Sequence, residues 1–281
     1  GATDALLVAG GSGIATLGLP GTAGVPNSSV AETMVVPYNV VPELTEDVAA
    51  VIVEPVAANM GVVAPVPGFL EGLRTECDRV GALLIFDEVI TGFRLSPGGA
   101  QEKYDIVPDI TCFGKVIGGG LPIGSIGGRA DIMENLSPLG KVFHAGTLSG
   151  NPLATAAGLA ALDQLTGDVY IELLARARHM AALLRDACAS EGFAARFPVV
   201  GTLIGMVCGE DAANPVRNFD DAKTTDEAAY ARFFQAMLAE GVAMAPGAYE
   251  AIFVGMAHTD EVIDRIAHAA QRAAAAATSA D

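Results

Sequence analysis

Three short apolar runs organise the first half of the chain. They are Ala50-Val51-Ile52-Val53, closed by Glu54-Pro55; Ala82-Leu83-Leu84-Ile85-Phe86, stopped by Asp87-Glu88; and Ile110-Thr111-Cys112-Phe113, which follows Asp109 and ends at Gly114-Lys115. Continuous apolar runs of this length predict strands buried on both sides. Between the first two, Gly68 to Val80 spaces Phe69, Leu70, Leu73 and Cys77 along one helical face. Strand-like runs alternating with a helical pattern predict an α/β layer architecture, with parallel strands covered on both faces.

The second half changes period. Helical spacing runs through 151–165 and 170–190, then about 226–240, and from about Thr259 to the end. Leu203 to Cys208 and Val242 to Ala245 read as short strands between these helices. The change of pattern divides the chain into residues 1–165, part of a large domain with a mainly parallel sheet, and residues 166–281, a smaller α+β domain. Residues 9–29 are rich in Gly, Pro, Ser and Thr and predict a long surface loop, the kind of segment used as a lid or as a plain linker. The alanine run Ala273 to Ala277 is expected to extend or fray from the terminal helix. No internal repeat is apparent.

Composition narrows the partners. Hydrophobic residues make up 51% and charged residues 17%, the balance of a chain that buries a core rather than of a disordered one. With Lys+Arg at 16 and Asp+Glu at 33, the formal charge of -17 repels nucleic acid and anionic membranes. The apolar runs fall short of the ~18 residues of a membrane span, and no signal-peptide pattern is seen. Cys77, Cys112, Cys188 and Cys208 are widely spaced and read as reduced thiols, and the four histidines form no ligand motif, so no metal is expected and a cytoplasmic location is. The chain opens at Gly1 without Met and reads as a piece of something longer.

Three polar groups stand at strand ends, where open parallel sheets bind ligands: Glu54, Asp87 and Lys115. A carboxylate after an apolar run more often only caps the next helix. A lysine after a buried strand and before Val116-Ile117-Gly118-Gly119-Gly120 is harder to read as scaffold, because glycines let a ligand approach closely. A desolvated lysine has a lowered pKa, as Schiff-base chemistry needs. With Asp87 on the next strand, the pair matches what pyridoxal phosphate requires: an amine for the aldehyde and a carboxylate for the ring nitrogen.

Three motifs then carry a resemblance: Ala82 to Arg94 (ALLIFDEVITGFR), Phe113 to Gly124 (FGKVIGGGLPIG) and Ala145 to Pro152 (AGTLSGNP). Together they resemble the class III aminotransferases, fold-type I enzymes that use pyridoxal 5'-phosphate and its pyridoxamine form. The resemblance implies that Lys115 holds the cofactor and shuttles the proton, Asp87 pairs with its ring nitrogen, and Val89 packs on its ring face. It implies that Asn59 lies near the phenolic oxygen with Glu54 supporting that region, and that Gly146 and Thr147 reach the cofactor phosphate of a second subunit in a homodimer. Ser12 falls in a stretch similar to a gating loop, and Glu250 matches a glutamate at the substrate end. Plainer roles compete: Val89 as core, Asn59 as a turn residue, Thr147 as the cap of the helix near Asn151, Ser12 and Glu250 as surface. His144 reads equally as a cofactor-region donor or a packed histidine, and Arg94 as structural.

The loop AGGSGIATLGLPGTAGVP, the segment VRNFDDAKTTDEAAYARFF and APGAYEAIF are most similar to the mutase members, which move an amino group within one small amino-aldehyde. An ω-aminotransferase releasing a keto product, and an inactive fragment of either, are the alternatives. The resemblance further implies that the phosphate cradle and the aromatic stacked on the ring belong to a segment preceding Gly1.

Overall fold

A computed structural model of the chain describes residues 24–279. The chain forms two compact units, one of residues 41–56 and 65–174, the other of the described residues before 41, 57–64 and those from 175. Helices and strands are numbered in chain order. A single turn, α1 (Asn27–Val30), is the described part of the predicted long loop; Ser12 lies outside the described residues.

The first unit is built on a four-stranded sheet in the order β1 (Ala50–Val53), β2 (Leu83–Asp87), β3 (Ile110–Phe113) and β4 (Ser125–Gly128). The first three strands are parallel, as their unbroken apolar runs predict, and β4 is antiparallel to β3. Helix α2 (Phe69–Val80) joins β1 to β2 and buries Phe69, Leu70, Leu73 and Cys77, the face read from the sequence. On β2, Leu84 and Phe86 are not exposed at all. Burying each such side chain is worth about 1.5–3 kcal/mol. The helix ends at Gly81, whose φ of 79° suits the left-handed cap.

One expectation fails here. The opposite face of the sheet is only partly covered by the described residues: Ile52 is 49% and Ile126 41% exposed. Periodicity registers that a run is apolar, not which segment covers it. The strand β4 also went unread, because Ser-Ile-Gly-Gly has no strand-like pattern. Its glycine is steric: a Cβ on Gly128 would stand 2.3 Å from the Asp109 carbonyl oxygen.

The unit continues through α3 (Gly99–Tyr104), α4 (Ala130–Met133), α5 (Pro152–Leu162) and the start of α6 (Gly167–Ser190). Asp109, 4% exposed, ties the sheet to its surroundings. It accepts hydrogen bonds from the Leu84 N–H and from Arg74 and Arg129, each at 2.8 Å. Burial alone would raise its pKa, but the Leu84 N–H and the two guanidiniums hold it below the usual carboxylate range.

In the second unit the later part of α6 packs with α8 (Glu227–Ala239) and α9 (Asp260–Thr278). Small two-residue strands lie among them: β5 (Ala195–Arg196) pairs with β8 (Val207–Cys208), and β7 (Leu203–Ile204) pairs with both β6 (Val199–Val200) and β9 (Ile252–Phe253). The remaining helix is the short α7 (Phe219–Ala222). Phe193 and Phe233 stack at 5.2 Å in the core. The alanine run extends the terminal helix, as one of its two readings expects, and does not fray: Ala273, Ala274 and Ala277 are buried, so small side chains there allow close helix packing. The run Leu203 to Cys208 is two strands, not one, and Val242 to Ala245 forms none. There the Ala245 carbonyl accepts from the Tyr230 hydroxyl at 2.6 Å, and Pro246 offers no N–H to a ladder.

Candidate active site

The carboxyl ends of β1, β2 and β3 carry the three polar groups read from the sequence. Val53 pairs with Phe86 and Asp87 with Cys112, so Glu54 follows β1 at the level of Asp87, and Lys115 follows three residues beyond Asp87's partner on β3. Adjacent strands lie about 4.8 Å apart. The sheet thus brings Glu54, Asp87 and Lys115 to one edge of a single unit.

Asp87 is half-buried, and its Oδ1 accepts the Val89 N–H at 3.1 Å, which fixes the carboxylate where the chain leaves the strand. Burial and, after it, the Asp87 charge push the Cys112 thiol up, so this neighbour stays a neutral thiol beside the carboxylate. The next residue, Glu88, is 1% exposed and was not singled out from the sequence. Its carboxylate accepts from Thr91 Oγ1 at 2.9 Å, the Ala100 N–H at 2.6 Å and Gln101 Nε2 at 3.0 Å. Glu88 therefore anchors the loop that follows Asp87, and Gly99 makes room for it, since a Cβ there would meet Glu88 Oε2 at 2.4 Å. The signal available was the paired acid after an apolar run, one residue for each role.

Lys115 opens a 3-10 turn, Lys115–Gly118, with a φ of 47°. That left-handed conformation costs a non-glycine residue about 1 kcal/mol or more and is concentrated at functional positions. The side chain is exposed, which corrects the expected desolvation: the described residues do not enclose it. Gly119, one of the glycines after it, has a packing role as well. A Cβ on Gly119 would stand 2.3 Å from the Ala157 carbonyl, and one on Gly158 would stand 2.0 Å from that of Ile117. They let the Lys115 turn press backbone to backbone on α5. Val89 is half-buried and fills the space beside Gly114, its Cγ1 3.2 Å from where a Cβ would sit.

Gly146 and Thr147 lie in an exposed turn closed by the Ser149 N–H on the Gly146 carbonyl at 2.9 Å. Thr147 does not cap α5; Asn151 does, accepting from the Leu153 N–H at 2.9 Å. His144 is exposed, which removes the packed reading. Burial lowers the pKa of Arg94.

Asn59 and Glu250 belong to the other unit. Asn59 sits in a turn whose base is closed by the paired hydrogen bonds of Ala57 and Val63, as the turn reading expects. Glu250 is half-buried just before β9, in a turn where its N–H donates to the Gly247 carbonyl at 3.2 Å. Among the described residues no group of His, Cys, Asp and Glu could hold a metal ion, and no helix is long and apolar enough to cross a membrane.

Comparison with known proteins places the chain among relatives. The chain is 50% identical over 279 residues to a glutamate-1-semialdehyde 2,1-aminomutase of Syntrophobacter fumaroxidans, covering 96% of this chain and 64% of that relative's length. It resembles a solved transaminase with PLP bound at a TM-score of 0.84 and 27% identity, over 100% of this chain and 66% of the other. An omega-transaminase from Sphaerobacter thermophilus matches at a TM-score of 0.79 and 28% identity, over 91% and 60%. The family model for class-III aminotransferases matches residues 20–270. The chain belongs to the class-III aminotransferase family.

Proposed function

We propose that the protein containing this chain is a pyridoxal-phosphate-dependent aminomutase that converts glutamate 1-semialdehyde to 5-aminolevulinate, the precursor of tetrapyrroles. The observation that carries the reading is the exit of Asp87 and Lys115 from the carboxyl ends of neighbouring parallel strands. The relative at 50% identity supports the substrate. The donor set fits the cofactor: an amine for its aldehyde and a carboxylate for its ring nitrogen.

When bound, the cofactor supplies an electron-accepting ring that stabilises negative charge on the substrate carbon. Lys115 would hold it through Nζ, and once the substrate amine had displaced it there, the freed Nζ would take and return the proton. Asp87, oriented by the Val89 N–H, keeps a proton on the ring nitrogen. Val89 would pack on the ring, Glu54 and Asn59 would serve the phenolic-oxygen side, Glu250 would act at the substrate end, and Ser12 would belong to the gating segment.

We further propose a homodimer in which Gly146 and Thr147 meet the cofactor phosphate of the second subunit. Leu139, Phe143, Leu148 and Leu153, on either side of that turn in the sequence, are each more than 60% exposed, apolar surface that a second subunit would cover. A division at residue 165, with residues 166–281 as a smaller domain, is proposed as well, and limited proteolysis reads it. A cytoplasmic location is supported by three buried, reduced cysteines, Cys77, Cys188 and Cys208.

The test uses the intact protein. Its visible cofactor absorbance is expected to vanish in Lys115→Ala; a persisting band would overturn the role of Lys115. Glutamate 1-semialdehyde supplied without any amino acceptor is expected to yield 5-aminolevulinate. An ω-aminotransferase, the reading that the Sphaerobacter likeness favours, instead needs an acceptor and releases a keto product. The same assay on the 281 residues alone identifies an inactive fragment.

A further inference from the structure

Tyr249 is the meeting point of two loops in the second unit. It is 3% exposed and packs with Ala57, Met60, Val63 and Ala222, with the Phe219 ring edge-on at 5.9 Å. Its carbonyl accepts the Gly61 N–H at 2.9 Å, in the turn that carries Asn59. Its hydroxyl donates to Glu227 Oε1 at 2.7 Å. Glu227 begins α8, whose start is pinned by Asp226 accepting the Ala229 N–H at 2.8 Å. The next residue after Tyr249 is Glu250.

A phenylalanine would fill the same space, so the hydroxyl has to be explained by what it holds. It ties the ring to the rigid first turn of a helix. The ring's own backbone then holds the Asn59 turn on one side and Glu250 on the other. The Asn59 turn leaves little slack: Gly61 and Val62 have φ of 90° and 61°, and a Cβ on Gly205 would reach the Gly61 carbonyl oxygen at 2.1 Å. Burial and then the Glu227 carboxylate keep the phenol protonated and able to donate.

We infer that Tyr249 is a positioning residue, which through its bonds to Glu227 and Gly61 sets the places of Asn59 and Glu250 together. The inference rests on the proposed reading that these two residues serve the cofactor and substrate. It predicts that loss of the hydroxyl acts on substrate binding before it acts on stability or on the chemical step.

The experiment compares Tyr249→Phe, Glu227→Ala and Glu227→Gln in the intact enzyme, by steady-state kinetics and by hydrogen exchange of 57–64 and 247–251. Tyr249→Phe and Glu227→Ala are expected to raise KM about five- to tenfold with kcat within about twofold, the effect of losing one hydrogen bond to a charged group. Glu227→Gln keeps an accepting oxygen and is expected to restore the wild-type KM. The double variant Tyr249→Phe/Glu227→Ala should be no worse than either single one, because the two share one interaction. Both segments should exchange faster in Tyr249→Phe. Unchanged exchange and KM in Tyr249→Phe, or additive losses in the double variant, overturn the inference. A kinetically silent Glu250→Ala alongside faster exchange in Tyr249→Phe overturns the functional reading instead.

Discussion

Lys115 shows how little a residue type decides without its backbone. Its left-handed turn is held by packing, because Gly119 and Gly158 remove the side chains that would keep the turn off α5. Gly119→Ala therefore adds both a backbone strain at φ 56° and a clash with the Ala157 carbonyl. It is expected to cost about 2–3 kcal/mol in chemical denaturation and to weaken cofactor binding. Asp87→Asn leaves the shape and removes the charge; kcat should fall about 100-fold with the melting temperature nearly unchanged. Asp109 makes a pH prediction. Its folded pKa lies below the unfolded one, so its ionised form stabilises the fold above the unfolded value of about 3.9 and that contribution is lost as pH falls through the folded value. Asp109→Asn should lower stability at neutral pH by about 2–3 kcal/mol and flatten the acid limb of stability against pH. An equally steep acid limb in the variant would assign it to other carboxylates.

At the scale of elements, apolar periodicity was enough for β1, β2, β3, α2 and the long helices of the second half. The face Phe69, Leu70, Leu73 and Cys77 is buried as its spacing implies. Elements whose cause lies elsewhere in the chain were not legible. The strand β4 is half glycine because the Asp109 carbonyl leaves no room for a side chain at Gly128. Residues 242–245 look like a strand, yet Tyr230 takes their carbonyl and β9 takes the place in the sheet. Helix α5 starts where Asn151 satisfies its first N–H groups, next to Pro152. Asn151→Ala should cost about 1 kcal/mol in thermal or urea denaturation, whereas Thr147→Ala should leave stability unchanged. Equal losses from both would reinstate Thr147 as part of the cap.

For the whole molecule, charge and exposure give the remaining prediction. The exposed apolar residues between 139 and 153 flank the turn of Gly146 and Thr147. Phe143→Lys together with Leu148→Lys is expected to shift the intact protein from dimer to monomer in sedimentation velocity, with loss of activity. A stable dimer in that variant would move the interface elsewhere. The candidate site was legible in part for a simple reason. Asp87 closes one short apolar run and Lys115 follows another, and runs of that length read as strands, so local pattern places both at strand ends. Glu88 and Tyr249 were not legible, since their importance lies in partners 12 and more residues away: the Ala100 N–H for one, Gly61 and Glu227 for the other.

By itself, then, the sequence determined the α/β class and the strand ends, because hydrophobic period and residue type are local properties that survive in any tertiary setting. The tertiary structure alone decided the left-handed turn of Lys115, the backbone contact of Gly119 with α5, the burial of Glu88 and the linkage of the Asn59 turn to Glu250. Each depends on atoms brought together from distant parts of the chain, and no periodicity records which distant carbonyl or carboxylate will be there.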